Sequence, residues 1–179
     1  GERSAELEAL HPLRSKIDVT TGGRLALTAK YQDRDALVVF DVKTGEMIDR
    51  FQFEDLVGLL SPSQSRDGTV VAFSGLARDG HSDIYLFYPA DRRLARLTAD
   101  WYQDLDPALS PDGRYVAFSS DRTPDGYRGT RNLFLFDRQT GLIRALTRGP
   151  HSDSAPAWSH KGDRLAFVSD RHGSAQVYL

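Results

Sequence analysis

One short stretch of the chain contains the residue types of a hydrolytic triad. It consists of His151, Ser152, Asp153 and Ser154. A Ser-His-Asp triad depends on geometry, and its members normally come from separated segments of a chain. The sequence around Ser152 also lacks the G-x-S-x-G turn that exposes the nucleophile of an α/β-hydrolase. We therefore predict no catalytic residue and no hydrolytic activity in this stretch.

Two aspartate-rich stretches offer the carboxylate oxygens that calcium prefers. They run from Asp100 to Asp106 and from Asp121 to Gly126, and neither has the order of an EF-hand loop. Aspartate is also common in tight turns, where it bonds to nearby backbone groups. The histidines show no H-E-x-x-H or similar ligand spacing. We therefore predict neither a metal site nor a cofactor.

An Asp-Arg pair occurs twice, as Asp121-Arg122 and as Asp170-Arg171. Each pair stands where a predicted strand leaves for its loop, so it is a candidate ligand contact. The recurrence of the pair favours another interpretation, in which it ties loop to loop in each copy of a repeat. Both interpretations are kept.

The segments that contain these pairs are copies of one repeat. SPDGRYVAFSSDR, from Ser110 to Arg122, returns forty-nine residues later as SHKGDRLAFVSDR, with seven of the thirteen positions identical. An earlier copy, DGTVVAFS from Asp67 to Ser74, lies forty-five residues upstream of its counterpart. A period in the high forties with short alternating apolar runs is typical of propeller blades.

The repeat predicts an all-β chain, with strands that include Met47 to Phe51, Tyr115 to Ser120 and Asn132 to Asp137. Each unit has room for short strands joined by local turns, which gives a β-propeller of four-stranded antiparallel blades, with about four blades present as an open partial propeller. We place a linker at residues 1–14, with a short helical stretch from Ala5 to Leu10. The propeller follows at 15–179, with blades at about 15–56, 57–105, 106–154 and 155–179, the last incomplete.

The second unit contains one irregularity. Ser61-Pro62 aligns with Ser110-Pro111 at an offset of forty-nine residues, whereas Asp67-Gly68 aligns with Asp112-Gly113 at forty-five. We therefore place a four-residue insertion at Ser63 to Arg66, in the first turn of that unit.

Composition excludes several partners. The formal net charge is -2 with both signs mixed, so there is no basic field for nucleic acid and no polybasic run for a membrane surface. No run approaches the roughly 18 apolar residues of a membrane-spanning helix. The chain has no cysteine, which excludes disulfides and thiolate metal sites.

The repeat motif resembles a known family. SPDGRYVAFSSDR followed by the stretch from Asn132 to Thr147 is similar to the TolB-like propeller repeat, the WD40-like family also called PD40. Pro156-Ala157-Trp158-Ser159 and the closing Leu-Thr pairs at residues 97–98 and 146–147 match its pattern. The resemblance covers about residues 57–179, whereas the first unit is degenerate. It implies a protein of the bacterial periplasm or cell envelope.

The resemblance also implies a binding module without catalytic activity. The loops that join second to third strands and one unit to the next share a face in a propeller, and we expect a protein or peptide to bind there. The remaining blades of a full-length chain would be further partners. The candidate residues on this face are Trp101, Tyr102, Asp104, Asp121, Arg122, Tyr127, Arg128, Asp170 and Arg171.

A second hypothesis places the chain in an enzyme. In that hypothesis the propeller guides substrate to a peptidase or other hydrolase domain outside this sequence. We further expect the unpaired edge of the fourth unit and the uncovered faces of the terminal blades to favour self-association.

Overall fold

The computed structural model describes residues 16–179, which form four small antiparallel sheets, one for each predicted blade. The linker predicted at 1–14, with its helical stretch, lies outside the described residues. Blades 1, 2 and 3 have four strands each, and blade 4 has three. In every blade the strands lie side by side in chain order, since each is joined to the next by a local turn.

The strand bounds follow the repeat closely. Met47–Phe51, Tyr115–Ser120 and Asn132–Asp137 have the bounds that the sequence predicts, and the other strands differ by a few residues at their ends. The strands are β1 (Asp18–Val19), β2 (Arg24–Tyr31), β3 (Arg34–Asp41), β4 (Met47–Phe51), β5 (Leu56–Gln64), β6 (Val71–Ala77), β7 (Ser82–Tyr88), β8 (Arg93–Arg96), β9 (Asp104–Leu109), β10 (Tyr115–Ser120), β11 (Asn132–Asp137), β12 (Leu142–Ala145), β13 (Asp153–Trp158), β14 (Leu165–Ser169) and β15 (Gln176–Tyr178).

Neighbouring blades are joined by apolar side chains that alternate between the two faces of each sheet. Phe73 is fully buried between blades 1 and 2, where Phe51 and Phe87 have ring centroids 4.6 Å apart. Phe118 is fully buried between blades 2 and 3. Trp158 packs against the blade 3 residues between blades 3 and 4, and its indole donates to the carbonyl oxygen of Ala108 at 3.0 Å. Each pair of neighbouring blades therefore packs through its own apolar cluster, as expected of a repeat array.

The innermost strands of blades 2, 3 and 4 bend at the same place. Ser61, Asp106 and Ala155 each precede a proline and have φ values of 53°, 53° and 49°. The pairing register shifts at these positions, which marks a bulge in each strand. Blade 1 meets blade 4 near the same level, where Lys16 Nζ donates to the carbonyl oxygen of Pro156 at 3.0 Å.

The first turn of every blade is built in the same way. A hydroxyl at Thr20, Ser65, Ser110 or Ser159 accepts a backbone N–H from the start of the second strand, at 2.8 to 3.2 Å. Ser65 corresponds to Ser110 in this pattern, so Ser61-Pro62 corresponds to Asp106-Pro107 rather than to Ser110-Pro111. The insertion predicted at Ser63 to Arg66 is therefore wrong, because two Ser-Pro pairs that occupy different places in the blade were aligned with each other.

The extra four residues lie instead in blade 3. Gly75 and Ser120 occupy equivalent places at an offset of forty-five, whereas Asp83 and Asn132 are equivalent at forty-nine. The longer loop, residues 121–131, contains a 3₁₀ helix at Gly126–Arg128 that the repeat pattern does not predict. The prediction of an all-β propeller of about four antiparallel blades is confirmed, and only the position of the insertion differs. The described residues, 16–179, contain no candidate for a membrane-spanning helix.

Candidate functional site

Both Asp-Arg pairs belong to the same internal arrangement. Asp104 lies opposite Ser120 in the sheet of blade 3, and Arg122 Nη2 donates to Asp104 Oδ2 at 2.6 Å while its Nε donates to Ser120 Oγ at 2.9 Å. In blade 4, Arg171 donates to Asp153 Oδ1 at 3.2 Å and to Ser169 Oγ at 2.9 Å. Each arginine therefore joins the first strand of its blade to the end of the second.

The aspartate of each pair holds the loop that enters its own blade. Asp121 Oδ1 accepts the backbone N–H of Gln103 at 2.8 Å, and Asp170 Oδ1 accepts that of Ser152 at 2.7 Å. We call Asp104, Ser120, Asp121 and Arg122 the blade 3 frame, and Asp153, Ser169, Asp170 and Arg171 the blade 4 frame.

One carboxylate of each frame lies in the protein interior. Asp104 and Asp153 are fully buried, and the Arg122 side chain is only 13% exposed. Burial raises the pKa of Asp104, and a hydrogen bond with Ser120 and the charge of Arg122 oppose that rise. Blade 2 has Leu59 opposite Gly75 at the equivalent position, so its core is apolar there. The role of Asp104, Arg122 and Arg171 in contacting a partner stays a prediction.

The aromatic candidates point outward from the same loops. Trp101 is 85% exposed, Tyr127 is 78% exposed and Tyr102 is 44% exposed. Tyr127 lies on the 3₁₀ helix in the long loop of blade 3, and Arg128 is exposed beside it with its guanidinium 5.1 Å from the Tyr127 ring. The Arg122 guanidinium lies 5.3 Å from the Tyr102 ring, so one residue of the blade 3 frame lies beside one of the aromatic candidates.

Neighbouring loops are bonded to one another. The Gln103 side chain accepts the Ser82 N–H at 3.2 Å and donates to the Gly80 carbonyl oxygen at 3.4 Å. His81 lies edge to face with Trp101, with ring centroids 5.5 Å apart. The loops of this face are predictable from the sequence, but His81 and Gln103 are not, because their contacts join residues about twenty apart and leave no local pattern.

The triad-like stretch is used differently. His151 Nε2 lies 3.4 Å from Asp153 Oδ2, but Arg171 holds the other oxygen of that carboxylate and Ser152 is bound through its backbone to Asp170. In the part of the chain that the structure describes, no three histidine, aspartate or glutamate side chains gather into a group that could hold a metal ion.

A cavity of about 410 Å³ lies among the innermost strands. Its lining includes Lys16, Asp18, Pro107 and Trp158. Burial lowers the pKa of Lys16, and the carboxylates of Asp106 and Asp18 oppose that shift. The sequence gives no signal for Lys16, because the first unit is degenerate.

Comparison with known proteins gives relatives of the same architecture, although no family model matches the chain. The protein TolB homologue of Chlorobium luteolum is 31% identical over 120 residues, which are 67% of this chain and 26% of that protein. The crystal structure of TolB from Acinetobacter baumannii has a TM-score of 0.70 at 25% identity, covering 90% of this chain and 39% of that one. The uncharacterized peptidase YuxL of Bacillus subtilis is 37% identical over 78 residues, which are 41% of this chain and 12% of that protein.

The sheets, their order and their packing define the chain as a β-propeller. Within that class it is a TolB-like β-propeller, as its repeat motif predicts. The chain spans about a quarter of the curated TolB relative named above.

Proposed function

We propose that this propeller is a noncatalytic module that binds a protein or peptide through the loop face around Trp101, Tyr102 and Tyr127. The observation that carries the proposal is the exposure of Trp101 and Tyr127, at 85% and 78%, on loops that are otherwise tightly bonded. Exposed aromatic residues on rigid supports are typical anchors of protein interfaces. The interior of the propeller does not need these rings, since its cores are filled by strand residues.

The loops offer a defined surface. Asp121 fixes the backbone of Gln103, and Gln103 in turn bonds to the loop of blade 2 at Gly80 and Ser82. A partner that docks there meets a surface whose backbone is already ordered, so little conformational entropy is lost on binding. The longest loop of the blades, 121–131, adds Tyr127 and Arg128 to the edge of this surface.

The relatives support a location in the bacterial envelope. A relative from Francisella tularensis is named a Tol-Pal system protein TolB, and it is 27% identical over 121 residues. We propose that the present chain is likewise part of a larger envelope protein and that its partner is a protein.

Alanine substitution tests this function directly. Replacing Trp101, Tyr102 and Tyr127 together should abolish capture of the partner by the full-length protein, while the melting temperature stays within a few degrees of the parent. The matched control is a triple alanine variant of exposed residues on the opposite face, Lys43, Gln139 and Lys161. Equal capture by both variants would contradict the proposed function.

The second candidate is a propeller that restricts substrate access to a hydrolase domain of the same protein. The identity to the peptidase YuxL favours this alternative. The two candidates differ in what the loop face does. In the second, the alanine variant would alter cleavage of large substrates more than cleavage of small ones, and the full-length protein would hydrolyse peptides through residues outside this chain.

A further inference from the structure

Trp101 presents its indole to solvent at a defined place on the loop face. It is 85% exposed, whereas the other tryptophan, Trp158, is packed between blades and donates its N–H to Ala108. The neighbour of Trp101 is His81, whose ring lies edge to face with the indole at a centroid distance of 5.5 Å. Tryptophan is the aromatic side chain that binds cations best. The exposed indole is therefore suited to a positively charged group.

A carboxylate stands beside the same imidazole. Asp79 Oδ1 accepts the backbone N–H of His81 at 3.0 Å and lies 3.3 Å from its Nδ1. The hydrogen bond from that backbone N–H lowers the pKa of Asp79, so the side chain is ionised at neutral pH. Its side chain is 60% exposed, which leaves it open to a second partner. His81 thus contacts both a carboxylate and an exposed indole.

The arginines closest to this loop bind other groups. Arg96 pairs with the buried Asp83 through its Nε at 3.0 Å, and its charge also contributes to the low pKa of Asp79. Arg78 donates to the carbonyl oxygen of Glu54, and Arg122 is held in the blade 3 frame. The surface between Asp79 and Trp101 therefore combines a negative charge with an open aromatic ring.

We propose that Trp101 and Asp79 form a subsite for a lysine or arginine side chain of the protein partner. The cation contacts the indole and the carboxylate, and His81 holds the two groups in place. This inference rests on the proposed function of the loop face and names the chemistry of the partner at one position. Arginine suits the subsite better than lysine because its planar group stacks on aromatic rings and is more weakly hydrated.

The test uses peptides that differ in one charge. The probes are acetyl-Gly-Gly-Arg-Gly-Gly-amide and the same peptide with citrulline, which has nearly the same shape without the charge. Binding to the full-length protein is followed through the indole N–H signal of Trp101 by NMR, assigned by its loss in Trp101→Phe. We expect a saturable shift with the arginine peptide. Asp79→Asn should weaken binding of the arginine peptide about threefold, and Trp101→Ala should weaken it about fivefold. Because Trp101→Ala lacks the indole signal, its binding is followed through the shift of the His81 ring signals.

Asp125→Asn is the matched control. Asp125 lies in another loop of the same face, two residues before the exposed Tyr127, and within the described part of the chain it has no histidine contact like that of Asp79. It should leave the affinity for the arginine peptide unchanged. Equal binding of the citrulline peptide, or no effect of Asp79→Asn, would overturn the proposal. If the peptide test fails but capture of the partner still depends on Trp101, only the subsite is wrong. If capture of the partner does not depend on Trp101, the proposed function is wrong as well.

Discussion

Arg122, two residues past the end of β10, forms an ion pair of 2.6 Å with Asp104 of β9, and Arg171 repeats it with Asp153 at 3.2 Å in blade 4. In both blades the arginine Nε also reaches a serine hydroxyl at 2.9 Å. The residue before each arginine holds the backbone of the loop that enters the same blade. The recurring Asp-Arg pair therefore connects strand to strand and loop to loop.

The blade 3 frame should be essential for stability. Arg122→Ala leaves the buried Asp104 carboxylate without its partner, and such changes cost about 3 to 5 kcal/mol in other proteins. We expect a loss near the lower figure, measured by chemical denaturation, because part of the arginine is accessible to water. Arg128→Ala, at an exposed position six residues later, should change the free energy of unfolding by less than about 0.5 kcal/mol. Similar effects of the two substitutions would show that the frame contributes little.

The pKa of Asp112, in the first turn of blade 3, should respond to the loss of one hydrogen bond. Ser110 Oγ donates to Asp112 Oδ1 at 2.6 Å, and this bond, with the backbone N–H of Arg114, lowers the pKa of Asp112. Ser110→Ala should therefore raise the pKa of Asp112 toward its ordinary value, as followed by NMR of the carboxyl carbon. Asp67, which has the same bond from Ser65, is the internal control and should not move.

The same lowered pKa predicts how stability depends on acid. The pKa of Asp112 is lower in the folded protein than in the unfolded chain. The stabilisation from ionised Asp112 is therefore complete above the pKa of the unfolded chain and is lost as the pH falls through the pKa of the folded protein. The stability of Asp112→Asn should thus fall less steeply than that of the parent in this acidic range. A parallel decline of the two proteins would contradict this assignment.

Gly75 should tolerate no side chain. A Cβ atom at this position would lie 2.7 Å from Tyr85 Cδ2 and 2.9 Å from Leu56 Cδ1, inside the core between blades 1 and 2. We expect Gly75→Ala to destabilise the protein by about 2 kcal/mol, as overpacked cores do. Gly58 lies on the neighbouring strand with 3.4 Å to its nearest atom, so Gly58→Ala is the control and should be close to neutral. Thermal denaturation of both variants decides the matter.

The repeat made most of the fold predictable. Tyr115–Ser120 and Asn132–Asp137 have the predicted bounds because each is a short apolar run that lies between turns containing glycine. The insertion was predicted in the wrong place because a match of only two residues can align different parts of a blade. Ser61-Pro62 matches Ser110-Pro111 in sequence but not in its position in the blade. The side-chain bond from Ser65 to the start of the next strand identifies the correct register.

The candidate site was predictable as a set of loops but not in its internal contacts. Trp101 and Tyr127 could be chosen because aromatic residues are unusual in loops, and the structure places both in solvent. Asp104 and Arg122 belong to the same predicted set, although Asp104 is fully buried. Their burial depends on pairing between residues eighteen apart, which no local pattern reveals.

Site-specific photo-cross-linking tests the central claim most directly, because it asks whether the loop face touches a protein partner. A benzophenone side chain would replace Trp101, Tyr127 or, as the control on the opposite face, the exposed Gln139 of the full-length protein in cells. Our account predicts a discrete adduct at positions 101 and 127 and none at 139. Adducts at 139 alone, or none at 101 and 127 while the protein remains folded, would contradict it.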